Sequence, residues 1–331
     1  MVVLGACAAW PLITAAARDG RPEGMLLAVL AVAAGYAAGR IGGALLPVAA
    51  PCAGALAGIA LTAWVPHLAP GPQITAPLGH AGATTAMVIL SAGAACCAAW
   101  AASVPAVRTA LRLVAAGIAV TAAVLGSVTG CVAGAAVLAG SLAVGRVRRR
   151  GAALAGMGLA VAGAAGLTWA VAGNAVPEGF AASLEGRLTP HRVALWHDAL
   201  ELARMHAGLG VGPGRFGELS PASLASPQSD GKPHSAPLQL AAEQGIAGVL
   251  LLAAAFGWLL YALWRSPRPT PLVLTAAVAL TALAAVATVG NALSFTAVAV
   301  GTGFLAGLAT SRPYTLDTTR RTGEVRGGAV R

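Results

Sequence analysis

The sequence has few charged residues, and this shortage excludes a soluble protein. Only 10% of the 331 residues are charged, whereas an ordinary soluble domain has roughly 25%. Hydrophobic residues make up 57% of the chain, and the mean hydropathy is +0.78. Such a composition cannot cover a water-exposed surface, so a cytosolic globular enzyme, a coiled coil and a disordered chain are all excluded. The sequence therefore predicts a multi-pass protein of the cell membrane.

Lysine is almost absent, and no basic stripe lies beside aromatic residues. The 21 basic residues are 20 arginines and Lys232, and the arginines lie between apolar runs, as topology signals do. Nucleic-acid binding is therefore not expected. The five cysteines lie inside apolar runs and form neither a CxxC motif nor a Cys/His set. We expect no disulfide, no metal site and no cofactor.

Apolar runs recur along the chain, and about 20 residues suffice to cross a bilayer as a helix. An isolated spanning segment must satisfy its own backbone, so each run predicts a helix. The fold class predicted is an all-α, polytopic membrane helix bundle of about ten spans with one long extracytoplasmic loop that contains short helices. The predicted spans lie near 2–17, 25–39, 41–65, 86–105, 111–128, 129–145, 152–172, 246–264, 271–289 and 291–309.

The arginine clusters predict the orientation. Arginines are concentrated at 146–150, at 265–268 and in the tail after residue 310. If these clusters are cytoplasmic, ten spans place both termini in the cytoplasm and residues 173–245 outside. The predicted organisation is a transmembrane bundle at 1–172, an extracytoplasmic catalytic loop at 173–245, C-terminal transmembrane helices at 246–309 and a basic cytoplasmic tail at 310–331.

The predicted outer loop carries most of the chain's polar chemistry. It contains seven of the 11 acidic residues and four of the six histidines. Thr189-Pro190 predicts a helix start, and 191–206 has the periodicity of an amphipathic helix lying at the membrane surface. The glycine-rich run 208–214 indicates a sharp turn or, less specifically, a phosphate-binding loop. The Ser- and Pro-rich stretch 218–233 predicts an irregular loop.

Three motifs in this loop occur in a recognisable order. They are Arg192-x3-Trp196, the run Gly208-Leu-Gly-Val-Gly-Pro-Gly-Arg-Phe216, and His234-Ser-x2-Leu-x4-Glu243-x-Gly-Ile-x-Gly248. Together they resemble the O-antigen ligase and O-antigen polymerase family of membrane glycosyltransferases over residues 187–250. The chain departs from that family at Ala207, where Pro is usual, and at Ser235, where Asn is usual. Family members also tend to have a Ser-Arg pair at the outer end of an earlier span, but here Ser127 is followed by Val.

The resemblance implies a metal-independent transfer of a polyprenyl-diphosphate-linked glycan to a hydroxyl of a glycan or lipid-glycan acceptor. The motif position of His234 implies that it is the catalytic base, since imidazole can take the acceptor's proton near neutral pH. The departing diphosphate needs bidentate cations; the candidates are Arg192, Arg215 and Arg187. Glu243 either orients His234 or ends a helix at the membrane interface, and we favour the second role.

Two other interpretations remain open. A permease or flippase would also be polytopic, but the sequence places no charge at the centre of a span, where transport paths usually need polar groups. A non-catalytic relative that takes part in polysaccharide assembly would explain the missing Arg after Ser127. Ligase and polymerase cannot be separated, because they share the donor chemistry and differ only in the acceptor.

Overall fold

A computed structural model describes residues 2–68, 79–175, 189–226 and 230–312, and all regular structure in these residues is helical. Short 3-10 turns at Val144–Arg146 and Ala292–Ser294 join neighbouring helices. The helices are α1 (Val2–Arg18), α2 (Glu23–Leu45), α3 (Ala49–Leu68), α4 (Gly79–Ala101), α5 (Pro105–Val124), α6 (Val128–Ala143), α7 (Arg150–Ala172), α8 (Pro190–Met205), α9 (Phe216–Leu219), α10 (Pro221–Leu224), α11 (Ala236–Trp264), α12 (Thr270–Val289) and α13 (Thr296–Thr310).

Seven of these helices are long and apolar enough to cross a membrane, and α1, α3 and α13 are shorter apolar helices. Each of the ten predicted spans corresponds to one of these helices. The prediction of an all-α fold with several membrane-spanning helices is therefore confirmed. The number of spans and the side of the membrane on which each end lies stay predictions.

The predicted boundary between the second and third spans is wrong. Helix α2 continues past Arg40 to Leu45, so the charged residue does not end it. The break comes instead at 46–48, where Pro47 has no backbone N–H to continue the helix. The fifth and sixth spans, which are hard to separate in the sequence, divide at Gly126, whose φ of +77° is a left-handed turn.

Helices α2 and α13 pack against each other through glycines on both surfaces. A methyl group built on Gly35 would lie 2.1 Å from the carbonyl oxygen of Val300, and one built on Gly303 would lie 2.1 Å from that of Val32. Only glycine allows two helix backbones to approach so closely. The Gly35-x3-Gly39 motif thus serves packing within the bundle, and α13 is held against the start of the chain.

Arginines at one end of the bundle cap the C-termini of helices. Arg108 donates to Ala102 O at the end of α4, and Arg150 donates to Ser266 O just beyond α11, each at 3.1 Å. Buried Arg268 donates to Gly43 O in the last turn of α2 and, at 3.2 Å, to Ser311 O after α13. The ends that the arginine pattern predicts to be cytoplasmic are therefore together in space.

At the opposite end, α8 to α10 and the start of α11 form a small subdomain with its own core. The buried face of α8 carries Leu195, Trp196 and Leu200, which pack with Phe216 and Leu238. Helix α8 contacts α11 and α7, so its apolar face is covered by protein. Its expected position at the membrane surface stays a prediction. Residues 216–224 form the two short helices α9 and α10 where an irregular loop was expected.

Candidate active site

The glycine run is a turn that docks against a kink in α11. Within that helix Gly245 has φ +69° and ψ −163°, which interrupts the helical backbone. Val211 N donates to Ala242 O, and Gly212 N donates to Glu243 O, each at 2.9 Å. A methyl group on Gly210 would lie 2.3 Å from the carbonyl carbon of Glu243. Glycine is therefore required at 210, both for the close approach and for its own φ of +68°.

The glycine turn is also bonded to the side chain of Glu243. This side chain is buried, with 4% of the residue exposed, and Gln239 Nε2 donates to its Oε1 at 3.4 Å. The backbone N–H groups of Gly214 and Phe216 also donate to the carboxylate. The carboxylate is enclosed by the glycine turn, two residues before the kink of α11 at Gly245, and its position at the membrane interface stays a prediction. Four amides of the turn bond to this segment of α11, which favours the sharp-turn interpretation over a phosphate-binding loop.

His234 pairs with a residue that the motif does not contain. Its Nε2 lies 3.1 Å from Oδ1 of Asp230. Only 17% of the histidine side chain is exposed, and its Nδ1 is buried without a hydrogen-bond partner among the described residues. Burial raises the pKa of Asp230, but the hydrogen bond and charge of His234 outweigh it and hold that pKa below its usual value. The one sequence signal for Asp230 is the turn dipeptide Asp230-Gly231.

The backbone of His234 is held in an unusual conformation. Its φ is +51°, in the left-handed region that few non-glycine residues adopt. Buried Pro233 precedes it, and Ser235 after it is the N-cap of α11. Surrounding structure must hold a residue in this region, and such residues cluster at functional sites. The fold therefore fixes the ring of His234 at the start of α11.

Arg192 lies beside this pair. Its Nη1 donates to Val289 O, the last residue of α12, at 3.1 Å. A cation is favourable at the C-terminal end of a helix. Burial lowers the pKa of Arg192, whereas the charge of Asp230 acts in the opposite direction. Arg192, Asp230 and His234 therefore form one cluster, although they come from α8 and from the segment before α11.

Arg215 belongs to a second group of charged residues. Its Nη1 donates to Arg18 O at 2.8 Å, and its Nε lies 3.6 Å from a carboxylate oxygen of Glu218. Arg21 approaches the same carboxylate at 3.8 Å, and its backbone N–H donates to Pro213 O at 2.7 Å. These contacts join the glycine turn to the end of α1. Arg187, the third diphosphate candidate, lies outside the described residues.

Three other polar residues lie at helix ends or between helices. His206 occupies the C-cap position of α8, and its Nδ1 is buried without a hydrogen-bond partner among the described residues. Asp198 Oδ2 accepts hydrogen bonds from Ser220 Oγ at 2.6 Å and Ala222 N at 2.9 Å, and so holds α10 against α8. Ser127 is the N-cap of α6 and accepts from Gly130 N at 3.1 Å. In the described part of the chain, no three His, Cys, Asp or Glu side chains are grouped to hold a metal ion.

An apolar cavity of about 240 Å³ lies inside the bundle. Residues of α1, α2, α11, α12 and α13 line it. Two of them are close in the chain to the charged cluster: Pro237 follows His234 by three residues, and Thr288 precedes Val289, the acceptor of the Arg192 hydrogen bond. These two residues bring part of the cavity lining within three residues, along the chain, of groups in or bonded to the cluster.

The fold and site define a multi-pass membrane protein in which one polar cluster and one apolar cavity lie close together. The family model for O-antigen ligase matches residues 113–253, somewhat less than half of the chain. This segment is similar to the O-antigen ligase family and includes Arg192, Asp230 and His234. No curated protein and no solved structure matches the chain. The resemblance is confirmed, and the match supports a glycosyl-transferring role in polysaccharide assembly.

Proposed function

We propose that this protein transfers a glycan from a polyprenyl diphosphate to a hydroxyl of a glycan or lipid-glycan acceptor on the outer face of the cell membrane. The observation that carries the proposal is the cluster of Arg192, Asp230 and His234 beside an apolar cavity. A lipid-linked sugar diphosphate needs a cation, a base and a hydrocarbon site next to one another. The cluster and the cavity supply all three.

The proposed reaction is a direct displacement at the anomeric carbon. His234 takes the proton of the acceptor hydroxyl while its oxygen forms the new bond to that carbon. The bond from the same carbon to the diphosphate oxygen breaks, and the diphosphate leaves with the electron pair. Arg192 stabilises the charge that develops on the leaving group. Arg215 and Arg187 stay further candidates for the diphosphate, and we propose no metal in this step.

The apolar cavity is the proposed site of the donor's lipid chain. Its lining is almost entirely hydrocarbon, contributed by residues such as Leu252, Phe256 and Leu283. A polyprenyl chain bound there would enter from the membrane and keep its diphosphate at the end where Pro237 and Thr288 lie. This arrangement places the reactive bond beside His234 without drawing the lipid out of the bilayer.

Transfer by reconstituted His234→Ala, with His206→Ala as the matched control, tests the proposal. The assay uses purified protein in proteoliposomes, a fluorescent glycan on a polyprenyl diphosphate, and cell-envelope glycolipids as acceptors. We expect His234→Ala to lose roughly 10²- to 10⁴-fold in rate, the usual share of general-base catalysis. Donor binding should persist, and His206→Ala should be much milder because His206 caps a helix.

The same assay separates the alternatives. A non-catalytic relative would transfer no glycan in its wild-type form, and a flippase would move the labelled donor across the bilayer without consuming it. Full activity of His234→Ala would remove the base assignment. Equal losses in both histidine variants would indicate a folding defect of the outer subdomain.

A further inference from the structure

We propose that Asp230 is the positioning residue for His234 and that Nδ1 of His234 is the atom that takes the acceptor's proton. This inference rests on the proposed function and adds a residue and an atom to it. The observations are the contact of 3.1 Å between Nε2 and Asp230 Oδ1 and the buried, unpartnered Nδ1.

The contact selects the tautomer of the ring. A carboxylate only accepts hydrogen bonds, so a neutral imidazole beside it carries its hydrogen on Nε2 and has its free electron pair on Nδ1. In the described structure no other group competes for that electron pair. Nδ1 therefore has a free electron pair that no described group uses, and the backbone of His234, with φ +51°, limits where the ring can lie.

The carboxylate also lies where it can stabilise the positive ring that forms during transfer. When Nδ1 takes the proton from the acceptor hydroxyl, the ring becomes positively charged, and the carboxylate 3.1 Å away stabilises that charge. The proton then leaves to water once the glycan has been transferred. The charged groups that face the pair are Lys232 on the same segment, whose charge acts on Asp230, and Arg192 on α8.

Asp230 is suited to this role because little else depends on its side chain. The side chain is 41% exposed, and its other described hydrogen bond comes from Lys232 N at 3.3 Å. An asparagine at this position retains an acceptor for that backbone bond and removes the charge. Asp230→Asn therefore changes the pair while leaving the loop in place.

The test measures kcat and donor KM against pH for wild type, Asp230→Asn, Asp230→Glu and Glu201→Gln. We expect Asp230→Asn to lower kcat by roughly tenfold or more and leave the donor KM unchanged. Without the carboxylate the imidazolium is less stable, so the acid limb of the profile of kcat against pH should move to lower pH. Asp230→Glu, which keeps the charge, should recover part of the rate. Glu201→Gln removes an exposed charge from α8 and should behave as wild type.

A double variant distinguishes positioning from a general structural effect. If Asp230 acts through the imidazole, adding Asp230→Asn to His234→Ala should cause no further loss. An equal further loss in that background, or an unchanged rate and pH profile for Asp230→Asn alone, would overturn the inference. Absence of transfer by wild type would instead remove the proposed function, so the two failures are distinguishable.

Discussion

The Gly210→Ala substitution tests whether the docking of the glycine turn on α11 builds the site. The added methyl group would lie 2.3 Å from the carbonyl carbon and 2.4 Å from the carbonyl oxygen of Glu243. Neither backbone atom can move away without shifting the kink at Gly245. The turn must therefore undock, and the hydrogen bonds of Val211 and Gly212 to α11 are lost with it.

The expected cost follows from these contacts. An alanine at φ +68° costs about 1–2 kcal/mol relative to glycine, and each lost hydrogen bond costs about 1 kcal/mol. The docked state of the turn should therefore lose about 3 kcal/mol, which raises the undocked population roughly 100-fold. Hydrogen–deuterium exchange of residues 208–216 reports this population directly. We also expect glycan transfer to fall sharply, because the docked turn leads directly into the segment that contacts Gly231, next to Asp230.

Gly208→Ala is the matched control for this experiment. It lies in the same turn, but a methyl group there would meet no atom within 4 Å. Exchange and transfer should both match the wild type. If the exchange of residues 208–216 in Gly210→Ala equals that in Gly208→Ala, the docked arrangement of the turn is refuted.

Two further predictions concern the diphosphate and the orientation in the membrane. Arg192→Lys keeps the charge but loses the planar, bidentate guanidinium. We therefore expect turnover to fall while thermal stability in detergent stays close to that of the wild type. A native turnover would mean that Arg192 only caps the end of α12. A reporter at Ser226 should be accessible from outside the cell, whereas one at Arg148 should not. The reason is that clusters of arginine favour a cytoplasmic location, and Arg148 lies in one of them. A cytoplasmic Ser226 would reverse the orientation and exclude an outer active site.

The docked glycine turn also fixes the position of the Asp230–His234 pair. Gly217 follows the turn directly, and a methyl group there would lie 2.8 Å from the Cα of Gly231. Gly231 separates Asp230 from the segment that leads to His234. The position of Asp230 is therefore set by contact with residues that Glu243 and the kink of α11 hold in place.

The sequence predicts the helices well because their signal is local. Apolar length and periodicity are properties of each segment alone, and the ten predicted spans all correspond to helices. The errors fall where a local signal is misleading. Arg40 looks like the end of a span, but the glycines of α2 and α13 continue to pack around it, and the helix ends only before Pro47. A charged residue near a helix end does not by itself determine where the helix stops.

The sequence predicts only part of the candidate site, because the geometry of the site depends on contacts between segments that are distant in the chain. The motifs indicate His234 and Arg192, but the carboxylate that contacts His234 lies in a Ser- and Pro-rich stretch whose turns periodicity cannot predict. For Glu243 the sequence indicates the residue but not its role. Its place in the motif is clear, yet its role depends on amides of Gly214 and Phe216, which reach it only after the turn has folded onto α11.

The arginines at the opposite end have a clearer sequence signal than the Asp230–His234 pair. Arg108 and Arg150 cap helix ends, and Arg268 joins the ends of α2 and α13. The same side chains that favour a cytoplasmic location for these loops therefore also satisfy backbone carbonyls at the edge of the apolar region, where water is scarce. Topology and stability favour arginine at the same positions, so its distribution along the chain is informative. The pairing of Asp230 with His234 leaves no such repeated pattern, and the two side chains come together only when the segment before α11 has folded.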